Sequence, residues 1–373
     1  MKPYIVWLGP LVDEATLLAG YAVSPAAVRW QTGFIRGLAA SGVRVVNAGH
    51  IGEPAWPRGR LRMSASLGAV PQDIDGQLVG YVNVPIARAA HLTLNYGRAV
   101  HSIVRHHGRP MAIVTYNFYQ PLAAVAFVAS RFTGAPWILI SADRDPGLYA
   151  TTIARLPDGT VYLSWGEYDS GRRAKFHLDG GINQERPSAP ATPPRVVYTG
   201  ALTAGAGVEL LAAAFDNVKR RDVELWICGK GKNAVVEQLA RRDPRVRYKG
   251  LVGDEELAAI CASAAIFVNP RLPDLEENKY NFPSKVLDYL AAGAPIVSTW
   301  TDGFAPEYRD LLKVVPATPT DFARGIEETL ALPDEERTRH AVAARAFALA
   351  SRSWPRQAAR FVTWAEALAS GRA

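Results

Sequence analysis

Short, almost wholly apolar runs alternate with longer amphipathic ones along nearly the whole chain. In the first half, IVWLGP reads as a buried strand. AAVRWQTGFIRGLAASG reads as an amphipathic helix closed by Gly42, and VRVVNAG as a second strand. PMAIVTYN, a helix through LAAVAFVASRFTG and the strand PWILISAD follow, and TVYLSW leads towards Gly180-Gly181. The second half repeats the pattern more cleanly. Strands RVVYTG, VELWICG, VRYKG, AIFVNP and APIVST alternate with helices GVELLAAAFDNV, NAVVEQLARR, DEELAAICASA and SKVLDYLAAG. Strands that are apolar throughout belong to sheets covered on both faces, so the alternation predicts parallel-sheet α/β domains.

Between the halves, QERPSAPATPPR over 184–195 packs four prolines among small polar residues, a stiff extended linker. The expected organisation is a first domain over 1–185, a linker over 186–195, a second domain over 196–354 and a last helix over 355–373 packing back on the first domain. The stretch from about Pro333 to Ser370 reads as largely helical, with Pro355 in the first turn of its final segment.

Composition narrows the class. At 373 residues, 49 % apolar and 21 % charged, the chain suits two folded domains. No apolar run reaches the ~18–20 residues of a membrane span. MKPYIVWLGP lacks the h-region and cleavage site of a signal peptide, so a cytoplasmic protein is expected. Cys228 and Cys261 supply neither a disulfide framework nor a zinc site. Residues 1–185 carry 17 Lys+Arg against 12 Asp+Glu, and the remainder 25 against 23, so the excess charge is mostly in the first half. That half suits either an anionic acceptor or peripheral contact with the inner membrane face, or is an ordinary solvated surface. No nucleic-acid-binding motif occurs, and nucleic acid is excluded as a partner.

In open parallel sheets, ligands bind at the carboxyl ends of strands. Four loops of the second half are equipped for a nucleotide. Gly200, Ala201 and the glycines at 205 and 207 allow close backbone approach to a diphosphate, or form an ordinary strand-to-helix turn. Gly229, Lys230, Gly231 and Lys232 hold a phosphate or make a solvated turn. The backbone of Gly250 to Gly253, including Val252, can read a nucleobase edge. The most particular stretch is Asn281-Phe282-Pro283-Ser284-Lys285. There Pro283 starts a helix, and N–H groups, a hydroxyl and an ammonium converge. Asp288 follows Lys285 by three residues and shares its helix face, where a carboxylate can accept the hydroxyls of a ribose. A Lys–Asp surface pair would use the same two residues.

These glycine turns, with AIFVNP, FPSKVLDYLAAGAPIVST and the final helices, resemble the GT-B glycosyltransferases, in particular the family 4-type (group 1) enzymes of exopolysaccharide and cell-surface glycan synthesis. The first-half segments SPAAVRWQTGFIRGLAASG, VTYNFYQPLAAVAFVASRFTGAPWILISADRD, VYLSWGEYD and HLDGGIN resemble the acceptor domain of the same group. The resemblance implies two Rossmann-like, doubly wound domains facing across a cleft. It also implies transfer of a sugar from a UDP- or GDP-linked donor to a hydroxyl acceptor, with retention, no metal and no separate cofactor. The acceptor would be a glycan, a lipid-linked glycan or a small molecule. Two features depart from the family. Its usual Arg and Lys after the first donor-domain strand fall on Ala201 and Ala206, and the first of its two glutamates falls on Tyr280. Lys285, with help from Lys230 or Lys232, is expected to replace the missing charge, and Glu276 or Glu277 the missing carboxylate.

The resemblance adds Gly9 to the donor-binding residues and Glu277 and Lys285 to the catalytic ones. Asn117, Tyr119 and Asp143 end predicted strands on the acceptor side. Asp143 orients or deprotonates an acceptor hydroxyl, or is a buried structural carboxylate. His91, His101, His106 and His107 fall in or beside the helix before Pro110 and read as surface or core residues. A nucleotide-sugar epimerase and a catalytically weakened partner subunit are the rival readings. A simple dehydrogenase is disfavoured, because neither domain opens with a strand and GxGxxG.

Overall fold

The computed structural model describes residues 2–142, 155–170, 174–183 and 189–371. The chain divides into two compact units. The first comprises residues 1–163, 168–181 and 354–373, and the second residues 164–167 and 182–353.

In the first unit, seven strands form one parallel sheet: β1 (Tyr4–Leu8), β2 (Arg44–Gly49), β3 (Asp75–Leu78), β4 (Ala112–Tyr116), β5 (Trp137–Ser141), β6 (Gly159–Tyr162) and β7 (Lys175–His177). Their order is β3-β2-β1-β4-β5-β6-β7, so the order reverses between β1 and β4. Both faces are covered. Ile5 and Trp7 of β1 join one apolar cluster, and Tyr4, Val6 and Leu8 the other. The first cluster is roofed by α1 (Pro25–Ala40), and the second by α2 (Ala87–His107) and α3 (Gln120–Thr133). Helix α1 begins where the Ser24 hydroxyl accepts from Ala27 N–H and Pro25 fills the first position. It is followed by Gly42 at φ +83°.

The second unit repeats the design with β8 (Arg195–Thr199), β9 (Glu224–Cys228), β10 (Val246–Gly250), β11 (Ala264–Asn269), β12 (Ile296–Ser298) and β13 (Lys313–Val314) in the order β10-β9-β8-β11-β12-β13, again parallel throughout. Its longer helices are α4 (Val208–Asp216), α5 (Ala234–Arg242), α6 (Asp254–Ala262), α7 (Lys285–Ala292), α8 (Pro319–Leu330) and α9 (Asp334–Arg352), and a single turn of helix spans Glu276–Lys279. Val196 and Tyr198 face one core and Val197 the other. The reversal of order lies between β8 and β11. Of the proline-rich segment, Ala189 and Ala191 donate backbone hydrogen bonds to Ala262 and Ser263 at the end of α6.

The last helix, α10 (Trp354–Ala369), belongs to the first unit and packs on α1. Its docking rests on Gly33 and Gly37, one helical turn apart. A Cβ on Gly33 would lie 2.2 Å from Trp354 Nε1, and one on Gly37 2.6 Å from the Trp354 carbonyl oxygen. The indole fills that notch against Trp30 and Phe34, while Phe361 packs edge-on to Phe34.

This contact predicts a sign reversal. In an open helix, Gly→Ala stabilises by about 0.5–1 kcal/mol, and Gly97→Ala in α2 should do so, since nothing lies within 4 Å of its added Cβ. At Gly37 the clash is with a backbone oxygen that no rotamer can move. Gly37→Ala should therefore destabilise by about 1–2 kcal/mol in urea unfolding, the helix gain being outweighed by overpacking.

Candidate functional site

At the reversal between β8 and β11 the loops of the second unit meet backbone to backbone. Gly229, at φ +156°, leaves no room for a side chain, because a Cβ there would lie 1.6 Å from the Gly200 carbonyl oxygen. Gly207, at φ +76°, is equally confined, 1.7 Å from the carbonyl of Pro270. Further hydrogen bonds tie the row together. Gly200 N–H donates to Cys228, Leu202 N–H to Lys230, and Gly229 N–H to the Gly250 carbonyl (2.8 Å). The ends of β8, β9, β10 and β11 thus form one floor of peptide groups.

Two cations stand at this floor. Lys285 opens α7 and is half-buried, its Nζ 4.0 Å from the centroid of the Tyr198 ring. A Cβ added to Gly200 would lie 3.5 Å from that ammonium. Tyr198 itself donates to the Ala201 carbonyl (2.7 Å), which fixes the ring. Burial and the nearby Arg271 guanidinium hold the Lys285 ammonium well below its ordinary range. Arg271, two residues beyond β11, donates through Nη1 to Asn278 Oδ1 (2.9 Å) and Asn281 Oδ1 (3.3 Å). Its Nε is buried and has no partner among the described residues. Asn278 in turn donates to the Gly205 and Leu272 carbonyls, locking the arginine's loop to the glycine loop.

Lys285 forms no ion pair with Asp288 or with any other carboxylate among the described residues. The surface-pair alternative is therefore not what the structure holds. Asp288 is half-buried on the same helix. The turn into α7 starts at Pro283, whose carbonyl accepts from Val286 N–H, while Ser284 is exposed. Phe282 and Pro283 are buried, Phe282 against Phe304 and Tyr308, so these two shape the turn as core residues. Asn281 reaches the site by holding Arg271. The Glu277 carboxylate lies over Gly205, where an added Cβ would stand 1.6 Å from Oε1, and its charge is felt by Arg271. Lys230 and Lys232 point to solvent, and the Lys230 backbone carbonyl, not its ammonium, ties the loops. The cation whose charge acts on Lys285 is Arg271. Gly231 accepts from the Tyr248 hydroxyl (3.0 Å), and Val252 is half-buried against the core.

The acceptor-side candidates lie in the first unit. Gly9 is buried, and a Cβ there would meet Gln31 Oε1 at 2.4 Å. Asn117 adopts φ +58°, and its Oδ1 accepts from Ala142 N–H (2.8 Å), so part of its side chain is committed to the turn after β4. Tyr119 precedes α3 with its ring stacked on His50, 5.8 Å between centroids. Asp143 lies outside the described residues. His50 was not singled out by the sequence, although it directly follows β2. It is buried, hydrogen-bonded through Nδ1 to the Tyr96 hydroxyl (2.7 Å), and faced edge-on by Tyr81 and Tyr96.

Burial, with Arg88 nearby, pushes His50 down to about 4 from the usual 6.5. The unfolded chain therefore takes up this proton first as the pH falls. His50 should remove stability progressively between about pH 6.5 and 4, by up to about 3 kcal/mol. A His50→Gln variant should flatten that part of the curve of urea midpoint against pH; an unchanged slope would count against the assignment.

Residues 193–331 match the family model described as glycosyl transferases group 1. Curated protein sequences give no match. Solved structures similar to the whole chain include the sucrose-phosphate synthase of Thermosynechococcus elongatus (16 % identity, TM-score 0.69, covering 99 % of this chain and 100 % of that one). They also include a glycosyltransferase of Rickettsia africae (12 %, 0.72, 98 % of each) and Anabaena HepE in complex with UDP and glucose (15 %, 0.63, 96 % and 98 %). At such identities the likeness concerns the fold, while the family match concerns the unit that holds Arg271 and Lys285. Over residues 193–331 the chain is thus similar to the group 1 glycosyl transferases, and over its whole length it has the GT-B fold.

Proposed function

We propose that the chain transfers a sugar from a nucleoside diphosphate donor, UDP- or GDP-linked, to a hydroxyl of a glycan, a lipid-linked glycan or a small molecule. The observation that carries this reading is the pair Arg271 and Lys285, two cations beside a peptide floor with no carboxylate answering Lys285 among the described residues. A diphosphate supplies the missing charge. Its departure as a leaving group would be stabilised by both cations and by the positive end of the α7 dipole. With positive charge supplied in this way, the proposed reaction needs no divalent metal. Asp288 is assigned to the ribose hydroxyls, and Glu277, over Gly205, to the sugar side of the diphosphate. HepE, of similar fold, is known with UDP and glucose, which agrees with a uridine donor. Retention at the anomeric carbon, a role in cell-surface or exopolysaccharide synthesis, and peripheral membrane contact through the first unit complete the proposal.

Calorimetry with UDP, GDP and their sugars tests the binding step, and a mass-spectrometric donor screen tests transfer. Lys285→Ala and Arg271→Ala should each weaken nucleoside diphosphate binding by about 2 kcal/mol or more, roughly thirtyfold, and Arg271→Lys should recover part of the loss. Binding should also take up a proton. The free site holds Lys285 below its ordinary value, and an anion that offsets Arg271 raises it again, so affinity should fall as the pH rises through that interval. Unchanged affinity in both alanine variants, or a heat independent of the buffer's ionisation enthalpy, would remove the cation pair from the donor site.

A further inference from the structure

Between Asp75 and Asp143 the sequence has no Asp, Glu or Lys, but five arginines and four histidines. With 35 acidic residues in 373, a stretch of that length would ordinarily hold about six, so the absence is a property of this region. It contains α2 and α3, which pack side by side over one face of the first sheet. Leu92, Tyr96, Val100 and Ile103 of α2, with Leu122, Val125 and Ala126 of α3, turn inward. Two helices that bury their inner faces on the same sheet present their backs to solvent on the same side.

That outer side carries an unusual mixture. On α2, Leu94 is 59 % exposed, and Arg98 and Arg105 continue its stripe at helical spacing. On α3, Val128 is 64 % exposed and Phe132 89 %, with Arg131 beside them; Phe132 is the most exposed aromatic residue among those described. Single exposed apolar side chains are ordinary. Apolar side chains interleaved with arginines, on a surface without acidic residues of its own, are not. Among the described residues, the one carboxylate paired to it from outside is Asp158, 3.5 Å from Arg131. Arg98 donates to Asn95 Oδ1 at 3.2 Å and forms no ion pair among the described residues.

We propose that this outward face of α2 and α3 docks on an anionic membrane surface, the arginines meeting lipid phosphates while Leu94, Val128 and Phe132 enter the acyl boundary. No helix of the described residues is long and apolar enough to cross a membrane. Helix α2, at 21 residues, spans about 32 Å but carries three arginines, so it lies along the interface. Charge complementarity selects this occupant. A second copy of the same basic face would be repelled, whereas an acidic bilayer is attracted. The inference rests on the reading above only for the membrane contact, to which it assigns a place, and is independent of sugar transfer.

The test uses the full chain, vesicles of phosphatidylcholine alone or with about 30 % phosphatidylglycerol, and sedimentation at two salt concentrations. Binding should favour the anionic vesicles by tenfold or more and weaken between about 0.1 and 0.5 M salt. Arg98→Glu with Arg105→Glu should lower partitioning by about fivefold or more for each site, and Leu94→Ser with Phe132→Ser should lower it severalfold. All four side chains are exposed, so thermal midpoints should stay close to that of the parent. UDP affinity measured on the same preparations should be unaffected, which separates failure here from failure of the donor site. Equal partition to neutral and anionic vesicles, absence of binding to both, or variants that bind like the parent would overturn the proposal. A shift of oligomeric state in Phe132→Ser with vesicle binding intact would overturn it as well, by making the face a protein interface.

Discussion

Arg271 and Lys285 repel one another beside Tyr198, and the fold holds them there. Each loses hydration on entering that position, and among the described residues Lys285 receives the face of an aromatic ring in return. A chain that spends stability in this way must secure both side chains by other means. Arg271 is fixed by Asn278 and Asn281, and Lys285 by the opening of a helix whose next residues, Val286 and Leu287, are deep in the core.

The glycines explain how such charges reach the ends of four strands at once. Where the Gly200 carbonyl touches Gly229 and the Pro270 carbonyl touches Gly207, neighbouring loops approach more closely than side chains allow. The floor is therefore made of peptide groups, and side chains can enter only from its rim. With alanine at 201 and 206, the loop after β8 contributes no charge, and the cations come from the far side of the strand reversal, after β11 and at the head of α7. The charge thus stands off the glycine loop, while the geometry of the floor is of the kind expected for an open parallel sheet.

Much of this was legible in the sequence. The apolar strands β1, β2, β4, β5, β8, β9, β11 and β12 stand out because burial on both faces removes polar residues, and α1 is framed by Ser24, Pro25 and Gly42. The short edge strands β3, β7 and β13 do not stand out; DGQL, KFH and KV are too brief and too polar, and they pair only because a neighbour offers an open edge. The same limit applies to the site. Lys285 was visible through Pro-Ser-Lys at a helix start. Arg271 was hidden, because its partners, Asn278 in a one-turn helix and Asn281 just after it, lie seven and ten residues away with no periodicity to mark them. Adjacency to Lys285 marks Phe282 in the sequence, while its packing against Phe304 and Tyr308 is a contact that only the fold creates. His50 was passed over for the more conspicuous histidines of α2, although its place directly after a strand was the available signal.

The notch formed by Gly33 and Gly37 also has a consequence in time. The side chain that fills it, Trp354, is made some three hundred residues later, after the whole of the second unit. During synthesis, the first sheet therefore emerges with one end of its apolar roof missing, and the second unit can fold before the first is finished. The order of completion is the reverse of the order of emergence: the amino-terminal unit is closed last, by the carboxyl-terminal helix.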